Sequence, residues 1–195
     1  MQTQNDSQNK VGRPSNKALI LDAADSLVAS EGASHLTFDA LSQKTGISKG
    51  GLLYHFANKD ALLQAMLQRR VERFESLRKE HLKRLDSDPN KAPKSILLAA
   101  LDTDAECARL GSGMLAAAAS NPELLEPLKR HVNDTIKQME QHLGEQVGRM
   151  LFYSVHGARL FEQLNLCEQC VTEREQFAEY LLNQIDKLTE THTGN

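Results

Sequence analysis

The chain has 195 residues, 40% hydrophobic and 25% charged, with a net charge of −3. Such a length can bury a substantial core, and no apolar run approaches the roughly 20 residues of a membrane helix, which excludes a membrane span. The opening MQTQNDSQNK is polar with no apolar centre, which excludes a signal peptide, so a cytoplasmic location is expected.

Charge is unevenly spread: residues 1–59 hold six basic and five acidic side chains, and the remainder holds 17 and 21. The slight positive excess at the N-terminus would suit a segment working near phosphate. Lys10, Arg13 and Lys17, with Gly12 and Pro14, form a basic stretch over residues 1–14 and just beyond. It reads either as a flexible arm reaching into a minor groove or as a solvated tail.

Helices follow one another along the rest of the chain. Ser15 or Asn16 can cap the first, whose apolar residues Ile20, Ala23, Ala24, Leu27 and Val28 recur at helical spacing until Gly32. Thr37 can cap a second, with Phe38 and Leu41, that stops at Gly46 after about two turns. A third starts at Ser48. Asn58 then caps a long fourth helix running to about Leu85 with Leu63, Leu67, Val71, Phe74 and Leu77 on one side. DSDPNKAP, residues 86–93, joins two prolines to turn formers and is the expected boundary between subregions.

Beyond it the pattern stays helical. Ile96, Leu97, Ala100 and Leu101 mark one helix, and GSGMLAAAAS is built of small residues that either pack tightly or leave room for a ligand. Asn121-Pro122-Glu123 is a helix start, followed by Leu125, Leu128, Val132, Ile136, Met139 and Leu143. Val147, Met150, Ser154, Gly157, Phe161 and Leu164 then make a near-heptad row, and Phe177, Leu181, Ile185 and Leu188 mark the last helix. The expected fold class is all-α.

Function is concentrated in TGISKGGLLYHF, residues 45–56. Two short helices joined by a glycine turn and set between longer ones form a helix-turn-helix, whose second helix can enter a major groove. Leu41, Ile47, Leu52 and Phe56 would face a small core, leaving Ser48, Lys49, Gly51, Tyr54 and His55 outside. Adjacent Gly50 and Gly51 cost roughly 1 kcal/mol each in a helix, so they call for a turn, tight packing or close approach of the backbone to a ligand.

At these residues the chain resembles the TetR family of bacterial transcription regulators, whose N-terminal signature is similar to LTFDALSQKTGISKGGLLYHFANKDALL, residues 36–63. The resemblance extends upstream through ILDAADSLVASEG and implies an N-terminal helix-turn-helix domain of three helices over residues 15–60. A long linking helix and an all-helical effector-binding and dimerisation domain over residues 61–195 would follow. It places Thr37 and Phe38 where a helix braces the DNA backbone, Ser48 and Lys49 where the recognition helix enters the groove, and Tyr54 and His55 at phosphates or base edges. Lys59 matches a phosphate-contacting lysine, and Gly50 and Gly51 would let the backbone approach the duplex. Arg13 joins this set from the basic arm. The chain departs from the family at Gly51, where Thr or Ser is frequent, at Leu53, where Tyr is frequent, and at Ala57, where Pro is frequent. Leu53 would either contact a thymine methyl or complete the core.

The resemblance further implies a homodimer joined through the last two helices, with Val147, Met150, Ser154, Gly157, Phe161, Leu164, Phe177, Leu181, Ile185 and Leu188 as seam candidates; the same rows could instead pack within the subunit. It implies a small-molecule effector of unknown identity, for which Met114, Phe152, Tyr153, His156 and Arg159 are candidate pocket residues. Arg159 reads either as a carboxylate anchor or as a surface residue. The function expected is a repressor on a near-palindromic operator in double-stranded DNA, released by its effector. The alternatives are an activator, or an all-helical adaptor or sensor acting through protein contacts. No acid–base pair, metal cluster or phosphate loop stands at a chemically meaningful spacing, so neither enzymatic activity nor a metal or cofactor is expected. Of the three cysteines, Cys107, Cys167 and Cys170, the last two form a lone CxxC, read as two ordinary reduced thiols in preference to a sensor.

Overall fold

The computed structural model describes residues 15–102, 121–164 and 166–193. Lys10, Arg13, Cys107 and Met114, the arm over residues 1–14 and the small-residue stretch lie outside them. All the regular structure described is helical, and none of these helices is long and apolar enough to cross a membrane.

Local rules set most helix ends. Helix α1 spans Asn16–Glu31, with the Ser15 hydroxyl accepting from the Ala18 amide at 3.2 Å. Helix α2 spans Phe38–Thr45, where Thr37 accepts from Ala40 at 3.1 Å. Its last turn closes on Gly46, whose φ of 72° is a left-handed conformation that costs glycine little. Helix α3, Lys49–His55, is capped by Ser48, which accepts from the Gly51 amide at 3.2 Å. Helix α4, Lys59–Arg84, is capped by Asn58, which accepts from Ala61 at 2.8 Å. Its 26 residues make it about 39 Å long.

After α4 the chain turns tightly, and α5 already occupies Lys91–Leu101. The expected boundary at residues 86–93 is therefore half turn and half helix. Pro93 fits because an N–H in the first helical turn has no intrahelical partner to lose. The turn is also tied down: the Lys94 ammonium donates to Asp88 at 2.7 Å and to Asp186 at 2.8 Å, while Asn90 donates to Asp186 and Thr189. Burial pulls the Lys94 pKa down, but its two carboxylate partners outweigh it and hold the value above that of an ordinary lysine.

Asn121-Pro122 starts a 3-10 turn, Pro122–Leu125, that passes into α6, Glu126–Leu143. Helix α7 spans Glu145–Gln163, followed by the short α8, Glu168–Thr172, and by α9, Arg174–Thr193. Helices α6 and α7 cross closely at Gly148: a Cβ there would lie 2.6 Å from the Met139 backbone.

The side chains form two apolar cores. One unites α1 to α3 with Leu62, Leu63, Met66 and Leu67 from the first turns of α4. The other joins α5, α6, α7 and α9, with Phe74 of α4 against it. Leu124, from the turn before α6, is buried in the first core, and the Asn121 amide beside it donates to Asp60 at 3.0 Å. Leu124→Ala should thus leave a cavity in the N-terminal core and cost about 2–4 kcal/mol in chemical denaturation. A loss below about 0.5 kcal/mol would show that this contact is not structural.

Candidate nucleic-acid interface and ligand cavity

The turn between α2 and α3 is fixed by side-chain bonds to backbone. Thr45 Oγ1 donates to the Leu41 carbonyl at 2.7 Å and accepts from the Ile47 amide at 3.2 Å, and Ser42 donates to the Ile47 carbonyl at 2.7 Å. Leu41, Leu52 and Phe56 are buried and Ile47 is packed beside them, so α3 can lean its other face outward.

That outward face carries Ser48, Lys49, Gly50, Leu53 and Tyr54, all exposed. Tyr54 is 87% exposed and packs edge-on against the half-buried His55 ring. Leu53, at 42%, stands outside the core that Leu52 fills. The two glycines differ. A Cβ on Gly50 would meet open space, whereas one on Gly51 would come within 2.9 Å of Ile47 Cγ2. Tight packing inside the motif is thus one reason for Gly51.

Several of the expected DNA contacts already have partners in the free chain. Lys49 Nζ reaches both Asp39 oxygens, at 3.0 and 3.1 Å, across an exposed pair. Lys59 Nζ donates to the Ala33 carbonyl at 3.0 Å, and the exposed Thr37 spends its oxygen on capping α2. Phe38 departs from a purely external role: its ring is half-buried against the N-terminal core, because it follows the cap on the inward side of α2.

In the C-terminal half, α4, α5, α6 and α7 line a cavity of about 290 Å³. Its apolar wall includes Val71, Phe74 and Leu77 of α4, Ala99 and Ala100 of α5, Leu128 and Val132 of α6, and Phe152 of α7. Its polar residues are Arg70 and Arg73 of α4, His131 of α6, and His156, Arg159 and Gln163 of α7. Of the expected pocket residues, Phe152, His156 and Arg159 are brought together here.

Tyr153 is not. Positions 152, 156, 159 and 163 share one face of α7, and the next residue after 152 lies 100° round the helix, where Tyr153 is 58% exposed. Arg159 corrects the surface reading in the opposite sense. It is only 4% exposed and pairs with Glu162, which also binds Arg174. Arg70, Arg73, His131 and Gln163 escaped the sequence reading because a cavity assembled from four helices has no local pattern. The one available signal was His131 beside Leu128 and Val132, on the apolar side of its helix.

Both cavity histidines hold a proton less tightly than an ordinary imidazole. Burial, followed by the nearby His131 and Arg159, pushes the His156 pKa down to about 4, and its Nε2 is buried without a hydrogen-bond partner among the described residues. Burial also lowers His131, against the pull of Glu75 at 3.5 Å.

The near-heptad row of α7 faces away from this cavity. Met150, Phe161 and Leu164 are exposed, Val147, Ser154 and Gly157 are half-buried, and Tyr153 and Leu160 widen the apolar surface. The Ser154 hydroxyl is satisfied by the Met150 carbonyl at 2.8 Å. On α9 the seam expectation is corrected. Leu181 and Ile185 are buried in the subunit's own core with Phe177 packed against it, while Leu188 is half-buried and Tyr180 faces out. Cys167 and Cys170 are joined as a disulfide, which corrects the reading of two reduced thiols.

Residues 20–66 match the family model described as "Bacterial regulatory proteins, tetR family", and residues 90–186 match "Tetracyclin repressor-like, C-terminal domain". The fold is similar to that of a transcriptional regulator from Rhodococcus sp. Rha1, with a TM-score of 0.70 at 19% identity over 91% of this chain and 97% of that one. It is also similar to a TetR family member from Streptomyces coelicolor A3, with a TM-score of 0.69 at 22% identity over 90% and 98% of the two chains. The multidrug binding protein EbrR complexed with malachite green gives a TM-score of 0.68 at 21% identity over 87% and 98%. No curated protein sequence matches significantly.

The buried histidine yields a prediction. His156 binds its proton more weakly folded than unfolded, so the unfolded chain takes up the extra proton as pH falls from about 6.5 to about 4. Stability present above pH 6.5 should decline across that window by up to about 3 kcal/mol from this group, and His156→Leu should flatten the decline. An NMR titration of the ring should give a midpoint near 4; a midpoint near 6.5 would show the ring to be solvated.

Proposed function

Because this chain belongs to the TetR family of bacterial regulatory proteins, we propose that it is a homodimeric repressor that leaves its operator when a small molecule fills the C-terminal cavity. The observation that carries the DNA half is the outward face of α3, where Tyr54 projects into solvent beside Lys49 and the bare backbone at Gly50. Thr37, Phe38, Ser48, Gly51, Leu53, His55 and Lys59 complete the proposed contact set, joined by Arg13 from the arm. Tyr54 and Leu53 read base edges or methyls. Ser48, the amides of the first turn of α2 and Lys59 hold phosphates.

The effector half rests on the cavity together with α4, which passes from its wall into the core of the reading head. EbrR is a multidrug binding protein solved with malachite green and with imidazole, which supports a ligand-responsive reading of a similar fold. Coupling would be reciprocal: the operator weakens effector binding by the factor by which the effector weakens operator binding. The outward row of α7, with its internally satisfied serine, supports a twofold seam that sets two α3 helices on one face of the duplex.

Selection from a random duplex pool should enrich a near-palindrome whose affinity falls steeply with salt. Tyr54→Ala should weaken that site about tenfold, roughly 1.4 kcal/mol, while Lys49→Ala should reduce the salt slope by about one. Absence of any enriched sequence would end the DNA-reading proposal. Separately, Phe161→Glu should convert a dimer to a monomer in sedimentation; a dimer of unchanged stability would move the seam elsewhere.

A further inference from the structure

The disulfide between Cys167 and Cys170 has no part in DNA reading or in the cavity. It closes a ring with only Glu168 and Gln169 between its ends, and the two Cα atoms stand 5.3 Å apart, within the usual range for a bridge. The bond lies across the first turn of α8, where the Cys170 amide donates to Cys167 Sγ at 3.2 Å. A ring that small ties together neither the two cores nor two long helices. The junction around it is fastened by other means: Glu162 near the end of α7 binds Arg174 at the start of α9, and Leu181 and Ile185 anchor α9 in the core. The fold can therefore keep its shape with the bond open.

The sulfurs are also placed for exchange. Both cysteines are half-buried instead of sealed in a core, so a small thiol can reach them. A DNA-binding regulator works where thiols are kept reduced, and disulfides in that setting are mostly redox-sensing or catalytic. Exchange at this point would act on an apolar edge. The Leu166 amide donates to the Phe161 carbonyl at 2.8 Å, which holds Leu166 beside the outward row of α7. Leu164, Leu166 and Val171 are all exposed, and the ring closes between the last two of them.

We infer that Cys167 and Cys170 form a reversible dithiol–disulfide site, oxidised by a low-molecular-weight disulfide, that sets the strength of the dimer seam. This rests on the reading of the outward row of α7 as that seam. With glutathione disulfide as oxidant, one cysteine thiolate attacks a glutathione sulfur and expels the first glutathione thiolate. The second cysteine thiolate then attacks the protein sulfur of the mixed disulfide and expels the second. The two cysteine protons end on the two glutathiones, and the electron pair lost by the cysteines is the one that cleaves the glutathione S–S bond. A closed ring holds Leu166 and Val171 in place before a partner arrives. An open one must be ordered on association, so the reduced dimer is the weaker.

The full chain is equilibrated over roughly a thousandfold range in the ratio of reduced glutathione to its disulfide, trapped with N-ethylmaleimide and digested with trypsin. Both cysteines fall in one tryptic peptide, residues 160–174, and Cys107 falls in another. By mass, peptide 160–174 should pass reversibly from two maleimides to none within that range. In sedimentation equilibrium the reduced dimer should dissociate about tenfold more readily than the oxidised one. Cys167→Ser keeps a hydroxyl cap on α8 and should hold the dimer at the reduced value under both conditions. Should that chain fail to fold, Cys170→Ser serves, with the same expectation. The inference is overturned if the peptide stays in one state throughout, if oxidation stops at a glutathione adduct or links two chains, or if a serine variant still responds. If oxidation leaves the dimer unchanged while Phe161→Glu dissociates it, the inference fails and the seam reading stands. If neither changes it, both fail.

Discussion

One helix is packed into both cores. The first turns of α4 supply Leu62, Leu63, Met66 and Leu67 to the N-terminal core, and its middle supplies Phe74 to the C-terminal one. Between them Arg69 pairs with Asp22 and, at 3.6 Å, with Asp25 of α1. Interiors packed at crystal-like density do not deform smoothly, so in the proposed mechanism a shift of α4 at the cavity would be carried into the head as a displacement. Leu124 strengthens the connection by lodging a residue of the C-terminal half in the core of the other. Two halves joined by a flexible linker would lose this coupling.

Helix α7 is shared in a different sense, by phase. Its inner face holds Leu151 and Val155 in the core and His156 and Arg159 at the cavity, while its outer face leaves Met150, Phe161 and Leu164 uncovered. Buried Arg159 is tolerable because Glu162 faces it, and Glu162 is held by a second guanidinium from α9. The same trio thus links the cavity wall to the last helix. In the proposed dimer, ligand, subunit core and partner would meet on one element.

What was legible in the sequence was local. Ser15, Thr37, Ser48 and Asn58 each cap a helix as their types suggest, because a cap is a bond between residues three apart. The apolar residues of the helix-turn-helix sort correctly at Leu41, Leu52 and Phe56 for a similar reason. Illegible features depended on what a face meets. The period that marks Leu181 and Ile185 is identical whether they pack on their own subunit or on a partner, and here they pack inward. Tyr153 and Phe152 are neighbours in the chain but point to different surroundings. Prolines at 89 and 93 looked like a boundary, but Lys94, Asn90 and Asp186 make the turn a fastened corner between α5 and α9. The three-residue spacing of Arg159 to Glu162 and of Cys167 to Cys170 permits both bonds, but the burial of the ion pair is set by the helices around it.

The bond between Lys49 and Asp39 has a consequence for how the protein would search for its site. The pair is exposed, so opening it costs up to about 1 kcal/mol, a factor of about five in population. In the proposed complex the lysine must exchange a carboxylate for a phosphate, and Asp39 then stands uncompensated beside a polyanion. On random duplex, where little besides charge would hold the protein, that exchange would gain almost nothing, and residence would be short. On a matched site the proposed contacts from Tyr54 and its neighbours would absorb the cost. A carboxylate that reads no base would in this way shorten time lost on the wrong DNA and widen the kinetic margin between background and target.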